Sequence, residues 1–579
     1  MSRPETISPK RWRLSPPPPQ DVLNKLAGYG PDLAHILYNR GIQGVVQADE
    51  FLAHRYSRNR DPYLLTDIDR AVARIQKAVE RDEKVVVYGD FDADGVTSTV
   101  LMTQALRQLG FARSQVLPYI PDRVDEGYGL NIEALTQLRE KGVNLVICVD
   151  CGIRSIREVD HANEIGLDLI ISDHHNLGGK LPPAAAIINP KRPESQYPEK
   201  ELAGVGVAYK LVQALGSSLP GQTDFNDKQF LDLVAIGTVA DMVPLVGENR
   251  VLVADGLDAL RTSQRPGIDA LARVAGIQRS NITAESIAFA LAPRINAAGR
   301  MAHAYDAARL LAANNRGKAD EYAQNLDALN RQRQKITREL AQLAESLIDP
   351  GDPLLFIDDP GFHSGVVGLV ASQLADKYYR PTIVVERGDS ESRGSCRSIP
   401  EFHITRALDQ LAELLIRHGG HAMAAGFTVA NEKLDEFRRQ MINIAAAELD
   451  PLELYPTIGI DTELSLSDID WALHDQLNKL EPTGASNQLP ILMSRKVMVN
   501  EYRAVGRDGS HLQLWVSDDR VKFKCIAFRQ GDWAGNLPDQ VDLAYTINKD
   551  DWNGRNALQL VIKDIREPLE EQSSLGVDQ

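Results

Sequence analysis

Four short segments of the 579-residue chain hold the residues best suited to chemistry. They are Asp90-Phe91-Asp92-Ala93-Asp94-Gly95, Asp150, the triplet Asp173-His174-His175, and Asp241 in Ala240-Asp241-Met242-Val243-Pro244. Each of the first three directly follows an apolar, β-branched run. Carboxylates crowded together would repel one another unless a divalent cation neutralised them. Oxygen donors joined by one or two imidazoles suit Mn²⁺ or Mg²⁺ better than a thiolate-loving metal. Asp92 and Asp94, splayed from one loop, would face two ions that Asp150 could bridge, a layout that activates a water for in-line attack on phosphorus. One acidic loop after a strand is also an ordinary helix N-cap. Three such loops on one edge favour the metal reading.

The elements that must position these residues follow from periodicity. Apolar runs at 85–88, 116–120, 145–149, 169–171 and 185–188 are bounded by Gly, Pro or Asp, and helical patterns at 97–109, 132–141 and 153–165 lie between the first four. Strand and helix in alternation predict an α/β domain with a parallel, doubly wound sheet. Ligands bind such a sheet at the carboxyl ends of its strands, where the acids and histidines stand.

From 316 to 348 the chain is free of Pro and, after Gly317, of Gly, so it predicts a long connecting helix stopped by Asp349-Pro350-Gly351. A smaller α/β unit follows over 354–448, with strands at 354–357 and 382–385 and a glycine-rich stretch at 419–426. Short strand-like runs at 491–493, 512–516, 522–528, 542–547 and 557–562 predict a small antiparallel barrel. The expected division is an N-terminal arm and helical segment (1–80), with an extended proline run at 16–19, then a catalytic domain (81–315) and a connecting helix (316–350). A substrate-binding domain (351–450), a terminal barrel (455–565) and a tail (566–579) complete it.

Composition narrows the class. With 43% hydrophobic and 25% charged residues the chain can bury sizeable cores. No apolar run approaches the roughly 20 residues that cross a bilayer, and the first residues lack the apolar stretch of a secretory signal, so a soluble, cytoplasmic protein without membrane partners is expected. Four cysteines, Cys148, Cys151, Cys396 and Cys525, are too few to staple such a chain, as expected of a reducing compartment. Sixty-four basic against 80 acidic residues, a net charge of −16, argue against wholesale adhesion to nucleic acid but leave room for local basic patches. Cys148 and Cys151 have redox spacing, but the first lies within an apolar strand and no second pair completes a zinc site. Gly204-Val205-Gly206 lacks the third glycine of a dinucleotide fingerprint. Arg331-Gln332-Arg333-Gln334-Lys335 has the character of a solvated helix face.

Several local patterns fit an extended anionic substrate. In Arg393-Gly394-Ser395-Cys396-Arg397, Ser395 and Arg397 would share one face of a strand, and a guanidinium gives charge-assisted bonds to a terminal phosphate. Arg123, after the second strand, is a similar candidate on the binding edge. Arg294 and Arg300 flank small residues as a groove wall would. Gly419 and Gly420 permit close backbone approach to a phosphate beside His421. In the terminal barrel Tyr502, Trp515, Phe523, Phe528 and Trp533 alternate with Arg503, Arg507, Arg520, Lys522 and Lys524, as on a platform where unpaired bases stack, although a small barrel needs about half of these aromatics for its core.

The runs DFDADGVT from Asp90, VICVDCGI around Asp150, DHH at Asp173 and ADMVPL at Ala240 resemble the motifs of the DHH phosphoesterase superfamily. GFHSGVVGLVASQL from Gly361 and GGHAMAAGF from Gly419 resemble its companion DHHA1 domain. Together with PRINAAGRM at Pro293, RGSCRSI at Arg393 and the terminal barrel, they cover about residues 80 to 565 in order. The set is similar to the superfamily's bacterial single-strand-specific 5′ to 3′ exonucleases. The resemblance implies two Mn²⁺ or Mg²⁺ ions held by Asp90, Asp92, Asp94, Asp150, His174 and Asp241. One ion would take Asp94, Asp150, His174 and Asp241, and the other Asp92 and Asp150 helped by Asp90. It puts His175 beside the reacting phosphate, completing a catalytic set of Asp92, Asp94, Asp150, His174, His175 and Asp241.

The resemblance further implies that Arg123, Arg294, Asn296, Arg300, His363, Ser395, Arg397, Gly420 and His421 bind substrate. It makes the barrel an OB-fold whose Tyr502, Trp515 and Phe523 stack bases. The implied activity is two-metal hydrolysis of single-stranded DNA from its 5′ end to mononucleotides, in repair and recombination. The implied enzyme is a monomer that works with a helicase and single-strand-binding protein. A related phosphodiesterase on short oligoribonucleotides or cyclic dinucleotides, and a single-strand-binding protein without catalysis, are the alternatives.

Overall fold

Five short runs rich in Val, Ile and Leu form one wholly parallel sheet. Its spatial order is Val116–Tyr119, Lys84–Tyr88, Val143–Val149, Asp168–Ser172, Ala186–Ile188. The computed structural model that displays it describes residues 9–54, 60–123, 125–218, 225–550 and 557–568, so the expected tail lies outside the described residues beyond Pro568. Side chains alternate across the sheet. Val85 and Val87 pack under the helices Ala93–Gln108 and Gly204–Ser218, while Val86 and Tyr88 pack under Ile132–Glu140 and Ile156–Glu164. Burial on both faces explains why these strands are continuous apolar runs rather than polar–apolar alternations. Strand order reverses beside Lys84–Tyr88, and the crevice opens at the carboxyl ends there.

The helix Arg316–Glu345 joins this domain to the next. Asn315 caps it by accepting from the Lys318 backbone N–H. Its first half gives Ala319, Ala323 and Leu326 to the core of the parallel domain, and its end gives Ala341 and Ala344 to the core beneath the second sheet. That sheet has the order Leu415–His421, Ala424–Ala430, Glu391–Arg397, Thr382–Arg387, Leu355–Asp359, with only the last two strands parallel. The glycine-rich stretch is thus a β-hairpin within the sheet.

Leu492–Val505, His511–Ser517, Lys522–Ala527, Ala557–Arg566 and Gln540–Asp550 close into a barrel through pairing of the first strand with the last. The barrel is not wholly antiparallel, because Lys522–Ala527 and Ala557–Arg566 run parallel. The first part of the N-terminal segment packs on this distant unit, whereas its last helix, Ile68–Glu80, buries Ile68, Ala71 and Ile75 in the core of the parallel domain. Arg11–Leu14 pairs in parallel with Thr457–Ile460, and Val22, Leu26, Leu33, Ile36 and Leu37 share one core with Leu514, Trp533 and Tyr545 of the barrel. No helix among the described residues is long and apolar enough to cross a membrane.

Candidate active site

Chain geometry brings the four acidic segments to one crevice. Asp92 is the N-cap of Ala93–Gln108, its Oδ1 accepting from the backbone N–H of Asp94 and Gly95 at 3.0 Å each. The cap and metal readings therefore coexist, because capping uses one oxygen of two. Asp94, in the first turn of that helix, accepts from the N–H groups of Gly204 and Val205 at 2.7 and 2.9 Å. These are the first residues of another helix, whose positive end favours a carboxylate. The Gly-Val-Gly run that fails as a dinucleotide fingerprint thus serves the site through its backbone. A Cβ on Gly204 would stand 2.3 Å from Asp150 Oδ1, so only glycine fits.

Asp150, the residue after the strand Val143–Val149, has φ +63°, a left-handed conformation that costs a non-glycine residue energy and aims its side chain into the crevice. His174 Nε2 lies 3.2 Å from Asp150 Oδ1 and 3.5 Å from Asp241 Oδ2. Asp241 follows the helix Leu231–Ala240, just before Met242 at φ +60°. Donor atoms fall into compact groups, each within 4.8 Å: Asp94, His174 and Asp241; Asp90, Asp92 and Asp150; and Asp150, His174 and His175. Asp150 belongs to two of them.

Electrostatics explains what such a site requires. Burial, then the neighbouring carboxylates, pushes Asp90 and Asp150 well above the ordinary range, Asp94 up to about 7 and Asp241 up to about 9. Burial and the nearby His175 push His174 down to about 3, so its imidazole is neutral at pH 7. Among the described residues Asp90 Oδ1, Asp150 Oδ1 and both ring nitrogens of His174 are buried without a well-aligned hydrogen bond, Asp150 Oδ1 and His174 Nε2 only approaching each other at 3.2 Å. Buried polar atoms normally find partners. Unpartnered oxygens that raise one another's proton affinity, beside a neutral imidazole, fit hard divalent cations such as Mn²⁺ or Mg²⁺.

Asp173, the first residue of the triplet, is buried and plays a different part. Its Oδ1 accepts from the N–H groups of His174 and His175 at 2.7 and 3.1 Å and from His175 Nδ1 at 2.8 Å, while Oδ2 accepts from Ile153 N–H at 2.9 Å. Burial alone would raise it, but the bond from His175, the charges of His175 and His174 and the backbone N–H bond together outweigh this and hold it at about 2. For His175, burial acts downward, and the bond and charge of Asp173 raise it overall. Tyr128, which the sequence reading did not single out, places its hydroxyl 3.2 Å from His175 Nδ1 and 3.4 Å from Nε2. Only its position in a loop after the second strand could have drawn attention to it.

Between the parallel domain and the second sheet lie two cavities of about 570 and 460 Å³ that share Tyr128 and Gly419. Arg123, Arg300, Ser395 and Arg397 line the larger, with Arg393 and Arg417, which sequence reasoning had not assigned to substrate. Ser395 and Arg397 do share a strand face. Burial, and then the neighbouring Arg123, Arg333 and Arg397, together lower Arg300 to about 9. Among the described residues Arg123, Arg300 and Arg397 form no ion pair with a carboxylate; Arg123 lies over the Phe91 ring, and Arg300 donates to Gly365 O at 3.1 Å. Guanidinium groups do not deprotonate in proteins, so this cluster is a site for an anion.

His175, Gly420 and His421 line the smaller cavity. Gly420 has φ +153°, and a Cβ there would meet Ala424 O at 2.4 Å, so the hairpin's tight approach requires glycine.

Three expected substrate residues sit elsewhere. Arg294 commits its guanidinium to Asp327 Oδ1 at 3.0 Å and Ala290 O at 2.8 Å, tying its helix to the connecting helix, and lines neither cavity. Asn296 Oδ1 accepts from Ala93 N–H at 2.7 Å and so braces the acidic loop. His363 accepts from Gly365 N–H at 3.0 Å, shaping the turn that lines the larger cavity. In the barrel Tyr502 is 43% exposed, whereas Phe523 packs partly against the core and Trp533 is fully buried. Trp515 is half-buried with Arg503 over its ring at 5.8 Å. Lys522 and Lys524 are paired with Glu501 and Asp550.

Models of the DHH family N-terminal domain, the DHHA1 domain and the RecJ OB domain match residues 84–238, 351–447 and 460–564. The single-stranded-DNA-specific exonuclease RecJ of Bacillus subtilis is 36% identical over 566 residues, 96% of this chain and 71% of that protein. The crystal structure of Thermus thermophilus RecJ with Mn²⁺ superposes with a TM-score of 0.83 at 30% identity, covering 97% of this chain and 80% of that one. The Mg²⁺ complex of the same protein gives 0.77 at 28%, over 97% and 79%. With this identity over nearly the whole chain, and the three domains in matching order around a crowded carboxylate crevice, the chain belongs to the RecJ family.

Proposed function

We propose that the chain is a single-stranded-DNA-specific exonuclease that hydrolyses from the 5′ end and releases 5′-mononucleotides with two Mn²⁺ or Mg²⁺ ions. The observation that carries this is a crevice with a cavity beside it: Asp150 belongs to two donor groups, and Arg123, Arg300 and Arg397, without an ion-paired carboxylate among the described residues, line the adjoining cavity. Membership of a family whose relatives are named for this activity supports it. Asp94, Asp150, His174 and Asp241 would hold one ion, and Asp90, Asp92 and Asp150 the other. When bound, such a pair supplies an activated water and neutralises charge on the phosphate.

The chain's own groups do the rest. Asp173 fixes the His175 ring and favours its protonated form, so that His175 donates to a phosphate oxygen as negative charge builds. Arg123, Ser395 and Arg397, with Arg300 behind them, hold the terminal 5′-phosphate. A terminal pocket set a fixed distance from the ions measures off one nucleotide per cut. The barrel extends the track for long strands, with Tyr502 and Trp515 as stacking surfaces. The same reading makes the enzyme a cytoplasmic monomer in repair and recombination, supplied with strands by a helicase and single-strand-binding protein. Product analysis on single strands labelled at either end tests it. Mononucleotides from the 5′ end are expected with Mn²⁺ or Mg²⁺, whereas loss of label from the 3′ end, or cleavage confined to very short oligonucleotides, rejects it.

A further inference from the structure

Away from the crevice, three consecutive buried polar residues open the helix Gly247–Thr262: Glu248, Asn249 and Arg250. Each reaches a different element. Glu248 takes the Lys210 ammonium at 2.5 Å and the Tyr197 hydroxyl, and Lys210 belongs to the helix whose first two N–H groups hold Asp94. Asn249 donates to Glu201 O and to Pro244 O, the latter three residues beyond Asp241. Arg250 points the other way. Its Nη1 donates to the carbonyls of Leu480 and Pro482 at 2.9 Å each, Nη2 to those of Lys479 and Glu481 at 3.3 and 2.8 Å, and Nε to Phe51 O at 3.2 Å. The guanidinium lies 3.9 Å from the Phe51 ring centroid.

One catalytic-domain side chain therefore gathers four consecutive carbonyls of the segment that leads into the barrel. Leu245 N–H adds a bond to Ala485 O at 2.8 Å, and His54 Nε2 lies 2.7 Å from Glu481 O. Only a planar fork of donors can serve so many acceptors at once, since an ammonium is a point charge with three. Burying a guanidinium here is costly, and burial has lowered it to about 10. A structural tie alone could have been made from apolar side chains, whereas this fork fixes direction as well as contact.

Resting on the exonuclease reading, we infer that Arg250 is a positioning residue for long strands: it locks the barrel to the catalytic domain so that a strand lying on the barrel enters the crevice in register. The geometry makes a specific division of effects. A short oligonucleotide that reaches only the crevice does not use the lock. A strand long enough to cover the barrel, beyond the roughly 4 to 16 nucleotides of one OB site, does.

The experiment uses the full chain with Mn²⁺ and compares kcat/KM on a short and a long 5′-phosphorylated single strand. Two variants are measured: Arg250→Met, which keeps bulk and removes the fork, and Gly484→Val, which leaves Arg250 and wedges the loop from Leu245, whose Cδ1 lies 2.7 Å from a Cβ on Gly484. Wild type should prefer the long strand by roughly tenfold or more, the worth of one or two stacked bases. Each variant should lose most of that preference through KM while kcat on the short strand stays within about twofold. Arg250→Lys should not restore it. An unchanged long-to-short ratio overturns the inference even if the variants melt at lower temperature, and so does an equal loss on both strands, which would place Arg250 at the metal centre. Wild type that degrades neither strand from the 5′ end would instead reject the exonuclease reading.

Discussion

The crevice and the barrel solve opposite problems. At the crevice, charge is buried and, among the described residues, left unsatisfied: Asp90, Asp150 and His174 keep atoms without a hydrogen bond, and Arg123, Arg300 and Arg397 opposite form no ion pair with a carboxylate. On the barrel surface, several charged side chains are paired, with Lys522 on Glu501, half-buried Lys524 on Asp550 and Arg503 on Gln513. A site that binds ions and phosphates must store unmet electrostatic demand, whereas a surface that slides along a strand gains from shallow, replaceable contacts. The first costs stability and the second does not.

The largest test of this contrast is Asp150→Asn. It should reduce hydrolysis by roughly a thousandfold or more, about 4 kcal/mol of transition-state stabilisation. Because it also removes a charge from a crowded buried cluster, metal-free Asp150→Asn should melt no lower than metal-free wild type, and added Mn²⁺ should raise its Tm less. A variant with normal turnover would remove Asp150 from the metal centre. In the barrel, Trp533→Ala should cost about 3 to 5 kcal/mol of stability, the usual loss for a buried aromatic, as read from denaturant unfolding. A near-neutral result would mean that the ring is not core.

Arg397→Ala should lose most of the preference for a 5′-phosphate over a 5′-hydroxyl, roughly tenfold to a hundredfold for one charge-assisted contact. The ratio of rates on the two ends, at one salt concentration, checks it. Tyr502→Ala should leave the Tm in place and weaken binding of long strands by about tenfold, the worth of one stacked base. Equal affinity for long strands would take Tyr502 off the track.

The smallest expected effect is a pH shift. His175 is raised above 6.5 by Asp173, so the pair's contribution is complete below that pH and is lost as pH rises through the raised value. Asp173, held at about 2, stays ionised throughout the working range. Asp173→Asn should therefore move the His175 titration, followed by NMR of its ring, and the alkaline limb of the rate profile to lower pH. A limb that stays put would show that protonated His175 is not the active form.

The sequence determined the parallel sheet and the acids at its edge, because an apolar run ending in Asp is a local pattern and a parallel sheet delivers every such end to the same side. It also fixed Ser395 and Arg397 on one face, since strand alternation is local. Only tertiary structure decided that Asp173 orients His175 rather than joining a donor group, that Gly204 and Val205 hold Asp94, and that Arg294 faces Asp327 instead of the cleft. It alone decided that the first N-terminal helices complete the barrel's core and that Trp12 packs beside it on Met493 and Ala544, donating to Asp564 Oδ2 across 552 residues. Residue type announces what a group can do; which partner satisfies it depends on contacts between segments far apart in the chain, and no local pattern encodes those.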